Sequence, residues 1–342
     1  MKTIKACFIF LMLMSQVAFA QTEKEAVVFD ELYDEPYAIN KLFIGFLPFY
    51  GEVFATNVNA GFGLEAHYYH KKQFEINAHF RKTYSSKFFD FNRELALTNS
   101  SVSNTPEIFN YYEFGGTYHI KDFDVPSTTK IFLHKKNTPR NRWASSVPQY
   151  AEVPGKLRKV YGVRVGSIIW NSTTDLSRTL EKQGLTNADL VTSEGIGLPQ
   201  TFVDANGQTQ NFNVFGNLYT ANVYVGGSIS LIRNIAVSFD TYEQGLDDGM
   251  LTMFLDVMVA PALTLDPVVY NGEDYLTNAV KTKKIGFRAG IDGRFNRTLS
   301  WSYGGEVGYR PSLEGRGFFA LLKVSFPVFS SNLDNKVEAF GK

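Results

Sequence analysis

The chain has 342 residues, with 34 basic and 34 acidic side chains and a formal net charge of zero. This balance, without a basic stripe, argues against a nucleic-acid-binding protein. The only cysteine, Cys7, lies close to the N-terminus, so the rest of the chain contains neither a disulfide nor a cysteine metal ligand.

Residues 1–20 have the pattern of a secretory signal peptide. Two lysines precede a short apolar run from Phe8 to Met14, and Ala18-Phe19-Ala20 is typical of a cleavage site. The run is too short to span a bilayer, which argues against a membrane anchor. We expect export, cleavage after Ala20 and a flexible, acidic segment over residues 21–39.

Strict alternation of apolar and polar residues runs from Gly61 to Tyr84. It predicts two strands, 61–69 and 73–81, each with one apolar face. A three-residue loop, 70–72, pairs Tyr68 with Phe74 and keeps both apolar faces on one side. A two-residue turn would move the apolar side chains of one strand to the opposite face, so we predict the longer loop.

The same alternation recurs along the chain. Further strands are predicted over 42–49, 112–120, 161–169, 219–231, 235–242, 251–260, 285–292, 299–309 and 318–326, with short candidates at 130–133 and 268–270. The long loops are 85–108, 135–156 and 171–216. The last of these contains a predicted short helix over 174–183 and a hairpin turn at Asn206-Gly207.

The polar faces of these strands carry glycine and charge instead of the Thr, Ser and Lys typical of a solvated face. A narrow polar lumen needs small residues and compensating charges, so we favour a barrel with a polar interior and an apolar exterior. A soluble β-protein with its apolar faces buried inward is the alternative. The candidate lumen-lining residues are Glu65, His67, Glu75, His79, Arg81, Glu113, His119, Arg164, Arg288, Asp292, Arg294, Glu306, Arg310 and Lys323.

With its leader, its alternating strands and its aromatic residues near strand ends, the chain resembles bacterial outer-membrane β-barrels over residues 40–329. Its rich use of Phe, Tyr, Lys and Asn is similar to that of Bacteroidota proteins. The resemblance implies an all-β, closed antiparallel up-and-down transmembrane barrel in outer-membrane lipid, inserted by the barrel-assembly machinery. Such a barrel has an even number of strands when both of its ends lie on one side of the membrane. We expect about 12 strands, with 10 or 14 as alternatives. Phe326 or Phe329 would be the terminal aromatic residue, followed by a polar tail over 330–342.

The sequence is compatible with two functions. The first is a passive pore or small-solute channel with a mixed-charge lumen. The second is a closed structural or interaction barrel whose loops 85–108 and 171–216 bind another cell-envelope component. We predict no cofactor and no metal, because the histidines lack metal-ligand spacing. An outer-membrane lipid hydrolase is a remote alternative, but no Gly-x-Ser-x-Gly motif and no outward Ser-His pair occurs, so we expect no enzyme.

Overall fold

The computed structural model describes residues 29–39, 41–54, 57–70, 73–84, 103–104, 106–134, 149–203, 206–240, 242–296 and 301–330. Ten antiparallel strands close into a barrel. In chain order they are β1 (Leu42–Phe54), β2 (Asn57–His70), β3 (Phe74–Thr83), β4 (Asn110–Leu133), β5 (Gln149–Asp175), β6 (Phe215–Ile232), β7 (Gly249–Leu265), β8 (Ile285–Phe295), β9 (Ser302–Tyr309) and β10 (Phe318–Ser330). Each strand pairs with its neighbour in sequence, and β10 pairs with β1 to complete the up-and-down barrel.

The barrel has ten strands instead of the expected 12. Of the eleven strands and two short candidates predicted from the sequence, three are not independent barrel strands. Ile235–Ser238 pairs with Glu31–Asp34 and with Gly245–Asp247 in a separate sheet. Val268–Tyr270 forms a small hairpin outside the barrel. Residues 130–133 are the end of β4. Local alternation shows that a segment is extended, but it does not show which partner the segment pairs with.

Strands β4 and β5 are much longer than expected, with 24 and 27 residues. The predicted loop 135–156 is wrong for residues 149–156, which belong to β5, while residues 135–148 lie outside the described part of the chain. β3 pairs with β4 only as far as Tyr118, and β6 pairs with β5 only from Arg158 onward. The two strands therefore project beyond the barrel as a hairpin.

The outer face of the barrel strands carries exposed apolar side chains, whereas charged side chains in the middle of the barrel point inward. Leu322 is 73% exposed and Val165 is 62% exposed, whereas Arg288 is 1% exposed. Successive side chains of a strand point to opposite faces, so each strand contributes to both surfaces. This polarity is the reverse of that in a soluble β-sandwich and agrees with the predicted polar interior and apolar exterior.

The predicted register between β2 and β3 is wrong by two residues. Tyr68 pairs with Ile76, and Phe74 pairs with His70. The connection is still three residues long, 71–73, but it begins one residue later than predicted. A shift of two residues leaves each side chain on its predicted face, because the side-chain period of a strand is two.

We call the end of the barrel where β1 begins and β10 ends the terminal end. Here Glu31–Asp34 forms an ordered strand, so the expected flexible segment 21–39 is incorrect for this part. The side chain of Ile39 packs in an apolar cluster with inward-facing residues of five barrel strands, namely Phe43, Tyr69, Val160, Ile232 and Met250. The side-chain amides of Asn234 and Asn296 donate hydrogen bonds to the Ala38 carbonyl, at 2.7 and 2.8 Å. The N-terminal segment therefore covers this end.

We call the opposite end the loop end. The segment after β5 contains the predicted helix, α1 (Leu176–Lys182), whose N-cap Asp175 accepts a hydrogen bond from the Arg178 N–H at 3.0 Å. The loops at this end place apolar side chains such as Leu180 and Phe212 in one buried cluster with inward-facing Trp170. We call these packed loops the loop cap; they close the barrel at this end. Within the described residues, no helix is long and apolar enough to cross a bilayer.

The exposed apolar wall generates a direct test. We expect Leu322→Lys, in the middle of β10, to destabilise the barrel folded in lipid vesicles by about 2–4 kcal/mol, because a charge then faces hydrocarbon. Urea unfolding of vesicle-inserted protein measures the change. On a water-exposed surface the same substitution would stay within about 0.5 kcal/mol of neutral.

Thr128→Lys on the projecting hairpin is the matched control, because Thr128 is exposed but lies beyond the barrel. We expect it to be near neutral. Equal effects of the two substitutions would contradict a lipid-facing wall.

Candidate functional site

The middle of the barrel is occupied by Arg288 on β8. Its guanidinium donates hydrogen bonds to both carboxylate oxygens of Glu113, at 2.5 and 2.9 Å, and to Asp256 Oδ2 at 2.9 Å. Glu113 lies on β4, which is not a neighbour of β8 in the barrel. The Arg288–Glu113 pair therefore crosses the interior from one wall to another.

Other charges complete this central layer. Asp256 Oδ1 also accepts a hydrogen bond from Arg164 Nε at 3.0 Å. Glu306 lies 3.3 Å from Arg288 Nη1 and 3.6 Å from Arg81 Nη2. The central layer thus contains three arginines and three carboxylates: Arg81, Arg164, Arg288, Glu113, Asp256 and Glu306. Such balance is what buried charges require, because an unpaired charge in the interior is costly.

Aromatic side chains fill the space around these charges. The Tyr111 hydroxyl donates to Glu113 at 2.7 Å, and the Arg81 guanidinium lies 3.8 Å from the centre of the Tyr111 ring. The Tyr224 side chain fits where two inward positions are glycine, because a Cβ at Gly115 or Gly166 would overlap its phenol. The inward glycines therefore make room for large interior side chains.

A second charged layer lies nearer the terminal end. Lys323 Nζ bridges Glu65 Oε2 at 3.1 Å and Asp292 Oδ1 at 2.8 Å. Glu65 lies on β2, Asp292 on β8 and Lys323 on β10, so the ammonium group connects three strands. Glu75 accepts from His67 at 2.9 Å and lies 3.8 Å from Arg294. This layer also contains charges of both signs.

Three side chains of this second layer have the geometry to share a metal ion. Glu65, His67 and His79 offer ligand atoms that all lie within 4.8 Å of one another. Lys323 Nζ, however, is 3.1 Å from the Glu65 carboxylate, and Arg294 Nη2 is 3.0 Å from His67 Nδ1. Both cations would therefore compete with a metal ion for these ligand atoms.

The structure brings twelve of the sequence-predicted interior residues into these two layers: Glu65, His67, Glu75, His79, Arg81, Glu113, Arg164, Arg288, Asp292, Arg294, Glu306 and Lys323. His119 lies instead at the β-bulge where β4 leaves the barrel. Arg310 directly follows β9 and is buried outside the two layers. Its guanidinium forms an ion pair with Glu52 and lies 4.0 Å from the centre of the Phe319 ring.

Two buried carboxylates were missed from the sequence. Asp256 is the only acid in a largely apolar stretch, 251–260, and Glu52 is an acid at the end of a largely apolar strand. Both are almost completely buried. A single acid within an apolar strand was the signal that could have identified them, because such a charge needs a partner.

The outer wall carries an apolar band with aromatic residues toward the strand ends. On β4, Tyr112 and Tyr118 lie on either side of Phe114, and all three are more than half exposed. Tyr219 is exposed near the start of β6, and Trp301 is exposed directly before β9. Closure leaves no sheet edge unpaired, as hydrocarbon requires. These features are those expected of a transmembrane β-barrel.

No protein-family model and no curated protein matches the sequence. One similar solved structure is OmpTdeltaL8, a loop L8 deletion mutant of OmpT, an outer membrane protein of Vibrio cholerae. It is 8% identical, with a TM-score of 0.19, and the match covers 87% of this chain and 100% of that chain. At this TM-score the similarity supports no conclusion about this chain.

The central layer predicts a large stability effect. Arg288→Met leaves Glu113 and Asp256 without their shared cation, and we expect a loss of about 3–5 kcal/mol in the free energy of unfolding. Urea unfolding of vesicle-inserted protein measures it. Adding Glu113→Gln should recover part of the loss, because one uncompensated charge is removed. A double variant that is less stable than Arg288→Met alone would contradict the pairing.

Proposed function

We propose that the protein is an outer-membrane barrel closed to solute, which serves as a structural or interaction scaffold of the cell envelope. The observation that carries the proposal is the set of ion pairs between non-adjacent strands, above all Arg288–Glu113. A solute moving along the axis would have to separate such pairs. Breaking a buried pair costs about 3–5 kcal/mol, which opposes an open pore.

The two covered ends support the same proposal. At the terminal end, Ile39 lies within a cluster of inward-facing side chains. At the loop end, the loop cap buries apolar side chains against Trp170 and Phe54. Solute would therefore meet packed side chains at both entrances as well as the ion pairs between them.

The loop cap supplies a surface for a partner. Ile196 is 53% exposed and Val203 is 68% exposed, and both belong to the expected binding loop 171–216. Val191 forms a β-bridge with Leu276, and both are more than a third exposed. Apolar side chains exposed on ordered loops beyond the barrel wall favour a protein partner.

The proposed orientation places the terminal end in the periplasm. The barrel strands begin and end there, with the start of β1 and the end of β10, and most of the long connections lie at the loop end. Outer-membrane barrels usually have short periplasmic turns and longer external loops. The loop cap would then face the outside of the cell. A signal peptide over residues 1–20 would direct export, although this part lies outside the described residues.

A passive channel is the second candidate, because both charged layers carry side chains of both signs and such an interior could conduct ions after rearrangement. Planar-bilayer recording of the refolded protein separates the two functions. We expect no stepwise conductance, because the paired charges and covered ends occupy the axis. A known open porin inserted under the same conditions is the control, and discrete steps with this protein would contradict the closed barrel.

Binding through the loop cap can be tested in intact cells. A photo-crosslinking amino acid at Val203 should give a discrete adduct, and Ile196→Asp should reduce it at least several-fold by placing a charge in the apolar surface. The same crosslinker at Thr128, on the hairpin at the opposite end, is the control. An equal yield of the same adduct at both sites would contradict a partner specific to the cap.

A further inference from the structure

A cleft of about 760 Å³ opens at the loop end, between the C-terminus of α1 and the segments that flank β8 and β9. The Gln183 side chain holds its walls together. Its Nε2 donates to the carbonyls of Lys281 and Glu314, at 3.0 and 3.4 Å, and its Oε1 accepts from the Lys281 N–H at 2.8 Å. The cleft is therefore preformed.

The cleft is strongly basic. Lys182, Lys281 and Lys283 line it, and Lys284 follows directly in sequence. All four are exposed, and none forms an ion pair with any residue that the structure describes. Glu314 is the single acid among the lining residues. In a protein whose interior charges are paired, this excess of positive charge indicates an anionic ligand.

The cleft adjoins the lipid-facing wall. Lys284 is followed by Ile285 and Phe287, which are 59% and 55% exposed and begin the apolar face of β8. Lys283 Nζ lies 4.9 Å from the centre of the Tyr309 ring, at the end of β9. The lysines therefore lie where the apolar band ends and lipid headgroups begin.

An apolar groove of about 860 Å³ lies farther along the same wall. Small outward residues, among them Ala289, Gly305 and Ala320, line it between larger neighbours. Lys283 and Ala289 are six residues apart, which is on the order of 20 Å along a strand. This separation is close to the length of a lipid acyl chain, so one lipid could reach both features.

We propose that the basic cleft binds a phosphorylated headgroup of a membrane lipid whose acyl chain lies along the β8–β10 groove. The ammonium groups supply charge-assisted hydrogen bonds to phosphate oxygens. The outward orientation of the loop end points to a phosphorylated glycolipid of the outer leaflet. This inference rests on the proposed membrane placement.

Native mass spectrometry of the full-length protein, released from nanodiscs, tests the proposal. The nanodiscs contain phosphatidylcholine with diphosphoryl lipid A, with monophosphoryl lipid A or with neither. We expect wild type to retain diphosphoryl lipid A. The amount of bound lipid should fall at least about tenfold when the four lysines become glutamine, because the cationic partners of the phosphates are then removed. The variant combines Lys182→Gln, Lys281→Gln, Lys283→Gln and Lys284→Gln.

The matched control removes four lysines from the opposite end of the barrel: Lys121→Gln, Lys130→Gln, Lys156→Gln and Lys159→Gln. It should retain lipid as wild type does. Equal loss in both variants, or equal retention by all three proteins, would overturn the proposal. So would displacement of the lipid by millimolar inorganic phosphate, because the cleft would then select free phosphate.

The same samples separate this inference from the proposed function. A heat-modifiability gel on each nanodisc preparation reports whether the barrel has folded in the bilayer. If the protein folds in the bilayer but shows no preference for diphosphoryl lipid A, only the proposed lipid site is contradicted. Protein that does not enter nanodiscs of any composition overturns the membrane placement, and the lipid site with it.

Discussion

The interior of this barrel depends on the pairing of the Arg288 guanidinium with carboxylates from β4, β7 and β9. A barrel that shows its apolar side chains to lipid must place its polar side chains inside, where little water is available to solvate them. Opposite charges that reach across the axis resolve this conflict, because each buried charge then meets a partner. The inward glycines serve the same end, since Gly115 and Gly166 leave room for the phenol of Tyr224.

The two ends of the barrel follow from this closed interior. Each strand that leaves the lipid-facing zone loses the surroundings that favour an apolar exterior, so its apolar side chains need protein to cover them. At the terminal end the β4–β5 hairpin packs Ile131 and Val153 against Val237 of the three-stranded sheet. At the loop end, α1 and the loop hairpins bury their side chains over the barrel mouth. Both ends of the barrel are therefore covered by ordered protein.

The charged residues fall into two groups that differ in pairing. Inside the wall, cations such as Lys323 and Arg164 are held within hydrogen-bonding distance of carboxylates. At the rim of the loop end, Lys281 and Lys283 are exposed, and no described residue forms an ion pair with them. Paired charges stabilise the interior, whereas unpaired charges at a membrane boundary remain available to an anionic headgroup. Lysine is thus buried and paired inside the wall but exposed at the rim of the loop end.

The sequence alone determined the all-β class, the short helix after β5 and the face on which most interior charges lie, because a period of two is a local property of a strand. It did not determine the number of strands, since Ile235–Ser238 alternates like a barrel strand yet pairs with Glu31–Asp34. It also missed the register of β2 with β3, because a two-residue shift preserves every face. Only the tertiary structure decided which charges meet, such as Arg288 with Glu113, 175 residues apart. Pairing across a barrel depends on closure of the whole sheet, and no local pattern encodes it.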